Sequence, residues 1–213
     1  MNFNLWIDSL TKPIKTFKKE KHNANLTEGA IHIAVAGVIS GFIVGLYQMV
    51  IGAAITSEIF PMFSGLVGVA AFFGSLILTP IMSVIGWLIT SGVLFVFALL
   101  FGGKGNYKTQ SYLYAIYSAP LSIISSIVSL IPLIGPFLAL LALVYGLYLL
   151  TMSLKEAHQY SIGKALLTWL VPFLIIAVII IVAIAIAAAF VLGAVMDMLP
   201  ADMIPADIIP TGI

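Results

Sequence analysis

Glu28 and His32 stand four residues apart, and Glu156 and His158 two apart, in a chain with three histidines. A spacing of four puts both side chains on one face of a helix. Carboxylate and imidazole groups so placed suit a zinc-type ion. The bland alternative is four solvated residues at the rim of a bundle, and nothing in the sequence brings the two pairs together. Gly102, Gly103 and Gly105 surround Lys104. They look superficially like a phosphate loop, whose backbone N–H groups cradle an anion. That chemistry needs a preceding strand and a Ser or Thr after the lysine, and both are missing here. Ser111, Ala115, Ser118, Ser122, Ser125 and Ser129 step by four, three, four, three and four. This is a seam of small residues for close helix packing, or else a polar conduit.

Other chemistry is excluded more simply. The chain holds no HExxH and no GxSxG pattern, which argues against two common hydrolase classes. It has no cysteine, so disulfides and thiolate metal sites are absent. It has no arginine either, which removes the bidentate grip on phosphate or nucleic acid. The expectation is a protein that is not an enzyme, with no cofactor, no metal, no nucleic acid and no small-molecule substrate.

The elements that must position these residues follow from composition. Of 213 residues, 62% are hydrophobic and 8% charged, against about 25% charged in a soluble domain. Mean hydropathy is +1.20. Uncharged runs long enough to span a bilayer recur from end to end. The sequence therefore predicts an all-α, polytopic transmembrane bundle. Five spans are expected, at about residues 29–57, 74–101, 110–131, 133–153 and 165–192. Residues 1–28 precede them as an amphipathic, Lys-rich segment, in which Phe3, Trp6, Ile7, Leu10, Ile14 and Phe17 form a stripe. It is either an in-plane helix on anionic headgroups or a charge cluster that orients the first span. Residues 195–213 form a tail rich in Pro and Asp, which should be extended.

Within the spans, Gly37, Gly41 and Gly45 make two overlapping GxxxG steps. Such a face lets another backbone approach closely, either inside the bundle or in a homodimer. Gln48 should bond across helices. Pro120 frees a backbone carbonyl that the neighbouring serines can re-satisfy, and the whole seam is expected to face another span. Ile131 to Pro136, IPLIGP, forces a tight reversal. Charge sets the orientation. With five spans and the N-terminus in the cytoplasm, all nine lysines fall inside, while Glu58, Asp197, Asp202 and Asp207 fall outside. No Asp, Glu or Lys lies at bilayer depth, which counts against ion-coupled transport.

The motifs LFGGKGNY, YSAP, IPLIGP and IGKAL, with Pro13 and Phe17 near the start, give the chain a likeness to a known group. Over about residues 10–190 it resembles the Yip family of five-pass membrane proteins, including its archaeal and bacterial relatives. The resemblance implies a five-helix fold with a cytoplasmic N-terminus. It carries over a scaffold of Gly102, Gly103, Tyr117, Pro120, Pro132, Gly135, Lys164 and Ala165. Eukaryotic members act in vesicle traffic through small GTPases, but their Asp-Leu-Tyr-Gly-Pro motif and long N-terminal domain are missing here.

Two functional expectations follow. The first is a multi-pass scaffold in the cell membrane, or in the ER or Golgi of a eukaryote. It would affect membrane organisation or trafficking, with lipid, other membrane proteins or itself as partners. The second is a passive channel or small-solute facilitator formed by a homo-oligomer around Ser118, Ser122 and Ser125.

Overall fold

A computed structural model describes residues 3–59 and 61–198. Its order is α1 (Phe3–Thr11), α2 (Pro13–Glu20), α3 (Leu26–Ile59), a 3₁₀ turn (Pro61–Phe63), α4 (Ser64–Leu100), α5 (Tyr107–Val128), α6 (Gly135–His158) and α7 (Ile162–Met198). Among the described residues there is no strand, and five helices, α3 to α7, are long and apolar enough to cross a membrane. In a bilayer a helix satisfies its own backbone, so apolar runs of this length have no other open-chain solution. Asp202, Asp207 and the proline repeats of the tail lie outside the described residues. The helical backbone runs on through Asp197 to Met198.

The chain divides into two compact units, residues 1–169 and 170–213. In the second, the described part is a single apolar helix that continues through Pro172. The first holds the packed bundle. There α3 and α4 form a close pair. A Cβ on Gly37 would sit 2.6 Å from Pro80 Cα, and one on Gly41 would sit 2.6 Å from Ser75 O. Gly45 similarly faces Phe72 O, at 3.0 Å. The glycine face is turned to α4 of the same chain. Ser75 Oγ donates to Gln48 Oε1 across the pair at 2.6 Å.

Residues 64–73, expected as part of a connection, belong to α4. Gly68 faces Met49 O, where a Cβ would come within 2.6 Å. It serves helix contact.

Three buried clusters gather at one end of the unit. Phe17, Tyr112, Ile116, Tyr117 and Leu149 join α2, α5 and α6. Trp6, Ile33, Trp87 and Ala115 join α1, α3, α4 and α5. Ala98, Leu154, Tyr160 and Ala165 join the ends of α4 and α6 to the start of α7. This end also carries the lysines of the N-terminal segment and of both polar loops, with Lys21 Nζ 3.6 Å from a Glu156 carboxylate oxygen.

Candidate functional site

The polar end is assembled from three pieces. The first is the loop 101–106. Gly102 takes φ +79°, a conformation that glycine adopts without penalty. Its N–H donates to Leu99 O at 2.9 Å, that of Gly103 to Ala98 O at 2.8 Å, and that of Lys104 to His158 O at 3.2 Å. Gly105 N–H donates to His158 Nδ1 at 3.2 Å. All four amides are thus used within the protein, so the loop has none to offer a phosphate. His158 is fully buried. With Nδ1 accepting, its proton sits on Nε2, 2.7 Å from Gln110 Oε1. Gln110 Nε2 passes the chain on to Ser91 O at 2.8 Å. Asn106 Oδ1 accepts from Thr109 N–H and caps α5. Lys164 Nζ lies 3.4 Å from where a Cβ on Gly102 would be. The Gly-rich loop is therefore seated on one histidine, with Lys164 beside its Gly102. Beside it, burial pushes the Tyr160 phenol above its ordinary range, partly offset by its hydrogen bond to Thr168.

The second piece is the docked N-terminal segment. Pro13 opens α2 without a backbone donor, and Thr16 Oγ1 reaches back to Asp8 O at 3.1 Å. The buried face of α1 and α2 carries Trp6, Ser9, Pro13, Thr16, Phe17 and Glu20. Trp6 Nε1 donates to His32 Nδ1 at 2.9 Å. The Phe17 and Tyr117 rings meet edge to face, 5.9 Å apart. Tyr145 donates to Leu10 O.

Pro120 explains the register. It cannot donate to the carbonyl four residues earlier, that of Ile116. Ser9 Oγ lies 2.9 Å from Ile116 O and 2.8 Å from Trp6 O, so its single proton is shared between them. The carbonyl freed by Pro120 is met by α1, not by the serines of α5 as expected. Ser9→Ala should leave it unsatisfied, at a cost of about 1–2 kcal/mol. Amide exchange in α1 should then accelerate while the bundle melts almost unchanged. Unaltered α1 protection would remove this bond from the account.

The third piece is a cavity of about 650 Å³ beneath α1 and α2. Its floor is the buried Thr16, Glu20, His32 and Tyr112. Its rim is Asp8, Lys12, Lys15, Lys19 and Glu28, all exposed.

The remaining predicted residues separate. Gly135 is buried against Val128 O, Pro132 is exposed, and Leu133 takes φ +66° in the reversal. The serine seam is buried only at its start. Ser111 and Ala115 are fully enclosed, Ser118 and Ser125 are half-buried, and Ser122 and Ser129 are exposed. The seam as a whole does not face another span. Ser118, Ser122 and Ser125 border a shallow groove of about 300 Å³ between α5 and α6. Ser122 Oγ donates to Ala119 O at 2.8 Å, within its own helix. A serine satisfied in that way needs no partner helix.

The two Glu/His pairs are not brought together. His32 takes the Trp6 proton, His158 holds the loop, Glu28 borders the cavity and Glu156 pairs with Lys21. Among the described residues no group of three His, Asp or Glu could hold a metal ion. The Gln110–His158 chain was not anticipated. Its only sequence signal is a histidine and a glutamine near the ends of otherwise apolar runs.

Five membrane-length helices, a docked amphipathic segment and a motif-built loop define a polytopic membrane protein. The family model for the Yip1 domain matches residues 7–185. The chain belongs to the Yip1 domain family. No curated protein and no solved structure matches it.

Proposed function

We propose that this chain is a non-enzymatic membrane scaffold that organises the bilayer and the membrane proteins around it. The observation that carries the reading is the outer face of α1 and α2. Phe3, Ile7 and Ile14 are exposed there with Lys18, and Lys12, Lys15 and Lys19 are exposed along the flank at the cavity rim. An apolar strip flanked by lysines suits the boundary between headgroups and acyl chains. The inner face is fixed to the bundle, so the pair can act on lipid as a held wedge. On this reading the Lys-rich end faces the cytoplasm, in keeping with the positive-inside rule. Neighbouring membrane proteins, or further copies of the chain, would meet its apolar helices. A passive channel is less well supported, because the Ser122 and Ser126 hydroxyls are turned to carbonyls of their own helix.

Reconstitution tests both readings. The purified protein should reduce the size of vesicles rich in anionic lipid without passing small solutes. The triple variant Phe3→Ser, Ile7→Ser, Ile14→Ser should melt like the wild type, since all three side chains are exposed. It should lose most of the remodelling, because each exposed apolar side chain contributes about 1.5–3 kcal/mol when buried. Solute flux at intact vesicle size would favour the channel.

A further inference from the structure

The cavity under α1 and α2 has an order of chemistry from floor to rim. Glu20 is a charged side chain at the floor, 9% exposed. Its carboxylate is thinly partnered: the Tyr112 hydroxyl stands at a long 3.4 Å, and Lys19, whose side chain is 79% exposed, at 3.6 Å. Beside it His32 is 5% exposed, and with Nδ1 taken by Trp6 its Nε2–H has no partner among the described residues. At the rim, Lys12 and Lys15 are exposed and form no ion pair among the described residues. The exposed Ile31 and half-buried Leu5 add apolar surface to the lining. Glu28, Ile31 and His32 occupy the first two turns of the membrane-length helix α3. That places the cavity at headgroup depth.

We propose that this cavity binds the headgroup of a phospholipid bearing a primary amine, with the ammonium on Glu20 and the phosphate on Lys12 and Lys15. Among the described residues the lining carries three amines, on Lys12, Lys15 and Lys19, and three carboxylates, on Asp8, Glu20 and Glu28. A balanced set of charges favours a zwitterion over an anion. A buried carboxylate needs N–H donors as well as positive charge. A primary ammonium supplies three, and a quaternary one supplies none. Phosphate nearer the opening and acyl chains over Ile31 and Leu5 reproduce the order of groups along such a lipid. The volume lies within the usual range for ligand sites. The proposal goes beyond the scaffold reading and does not depend on it, since vesicle remodelling is measured separately.

The test uses the full chain in detergent, titrated with lipids of identical acyl chains. Phosphatidylethanolamine should raise the melting temperature and survive into native mass spectrometry about tenfold better than phosphatidylcholine or phosphatidylglycerol. Glu20→Gln should reduce phosphatidylethanolamine to the level of phosphatidylcholine. The exposed pair Lys12→Gln, Lys15→Gln should weaken all three lipids about tenfold with the unliganded melt unchanged, and it stands as the test if Glu20→Gln fails to fold. Equal binding of the ethanolamine and glycerol lipids would overturn the proposal, as would a double lysine variant with unchanged affinity. Soluble phosphoethanolamine matching the lipid's effect would assign the cavity to a free solute and overturn the lipid assignment.

Discussion

Gly41→Leu is expected to separate α3 from α4 and to leave no monodisperse folded protein. A Cβ there lies 2.6 Å from Ser75 O and 3.1 Å from Thr79 Cβ. The obstruction is backbone, so no rotamer relieves it. Gly37 and Gly45 press on the same helix one turn to either side, so the pair cannot pivot about the new side chain. The separation would also remove the bond between Ser75 and Gln48. Helix pairs in a bilayer depend on packing rather than on expulsion of water, which makes a lost close approach hard to replace. The control is Gly86→Leu, where a Cβ meets nothing within 4 Å. Size-exclusion profiles and melting curves in detergent should show the control near wild type and Gly41→Leu aggregated or at least about 10 °C lower. Equal behaviour of the two would rule out the glycine face as a contact.

Gly105→Ala should be nearly as damaging, for one methyl group. Its Cβ would run into Ala157 O and fall 3.0 Å from His158 Nδ1. The loop would have to lift off the end of α6. That breaks the bonds from Lys104 N–H to His158 O and from Gly105 N–H to His158 Nδ1. Two lost hydrogen bonds and the overpacking together cost about 3–5 kcal/mol. Gly163→Ala, with open space at its Cβ, is the matched control. A Gly105→Ala protein that melts with that control would mean the loop is not seated on His158.

How much of this was legible in the sequence depends on what each signal reports. The five long helices were legible because length without charge has one reading in a bilayer. Spacing along residues 3–17 identified an apolar stripe but not its covering. Trp6 and Phe17 are buried in protein, while Phe3, Ile7 and Ile14 are exposed, and hydropathy scores the two groups alike. The glycines at 37, 41 and 45 announced a close approach, yet a second copy would have required the same glycines as α4. The span expected at 74–101 starts ten residues earlier, at Ser64, and Gly68 within it makes a close helix contact: glycine breaks helices in water, a rule that weakens where helices pack closely. The serine seam misled for another reason. A hydroxyl can bond its own helix, so small-polar periodicity does not by itself specify a neighbour. His158 and Gln110 stand 48 residues apart, and no local pattern connects them.

The bond from Tyr145 to Leu10 also has a consequence for timing. It joins residues 135 positions apart, and the contacts of Ser9 with Ile116 and of Lys21 with Glu156 are similarly remote. At ordinary synthesis rates of about 5–20 residues per second, Tyr145 leaves the ribosome roughly 7–27 seconds after Leu10. For most of that interval Phe17 has no Tyr117 ring to meet, and Ser9 has no carbonyl opened by Pro120 to approach. The bilayer surface is the apolar phase within reach, and the same stripe that later faces protein can rest there. Residues 3–20 are thus made before the spans that receive them and are seated only after α6 has emerged. On this order of synthesis, seating the segment is a transfer from lipid to protein.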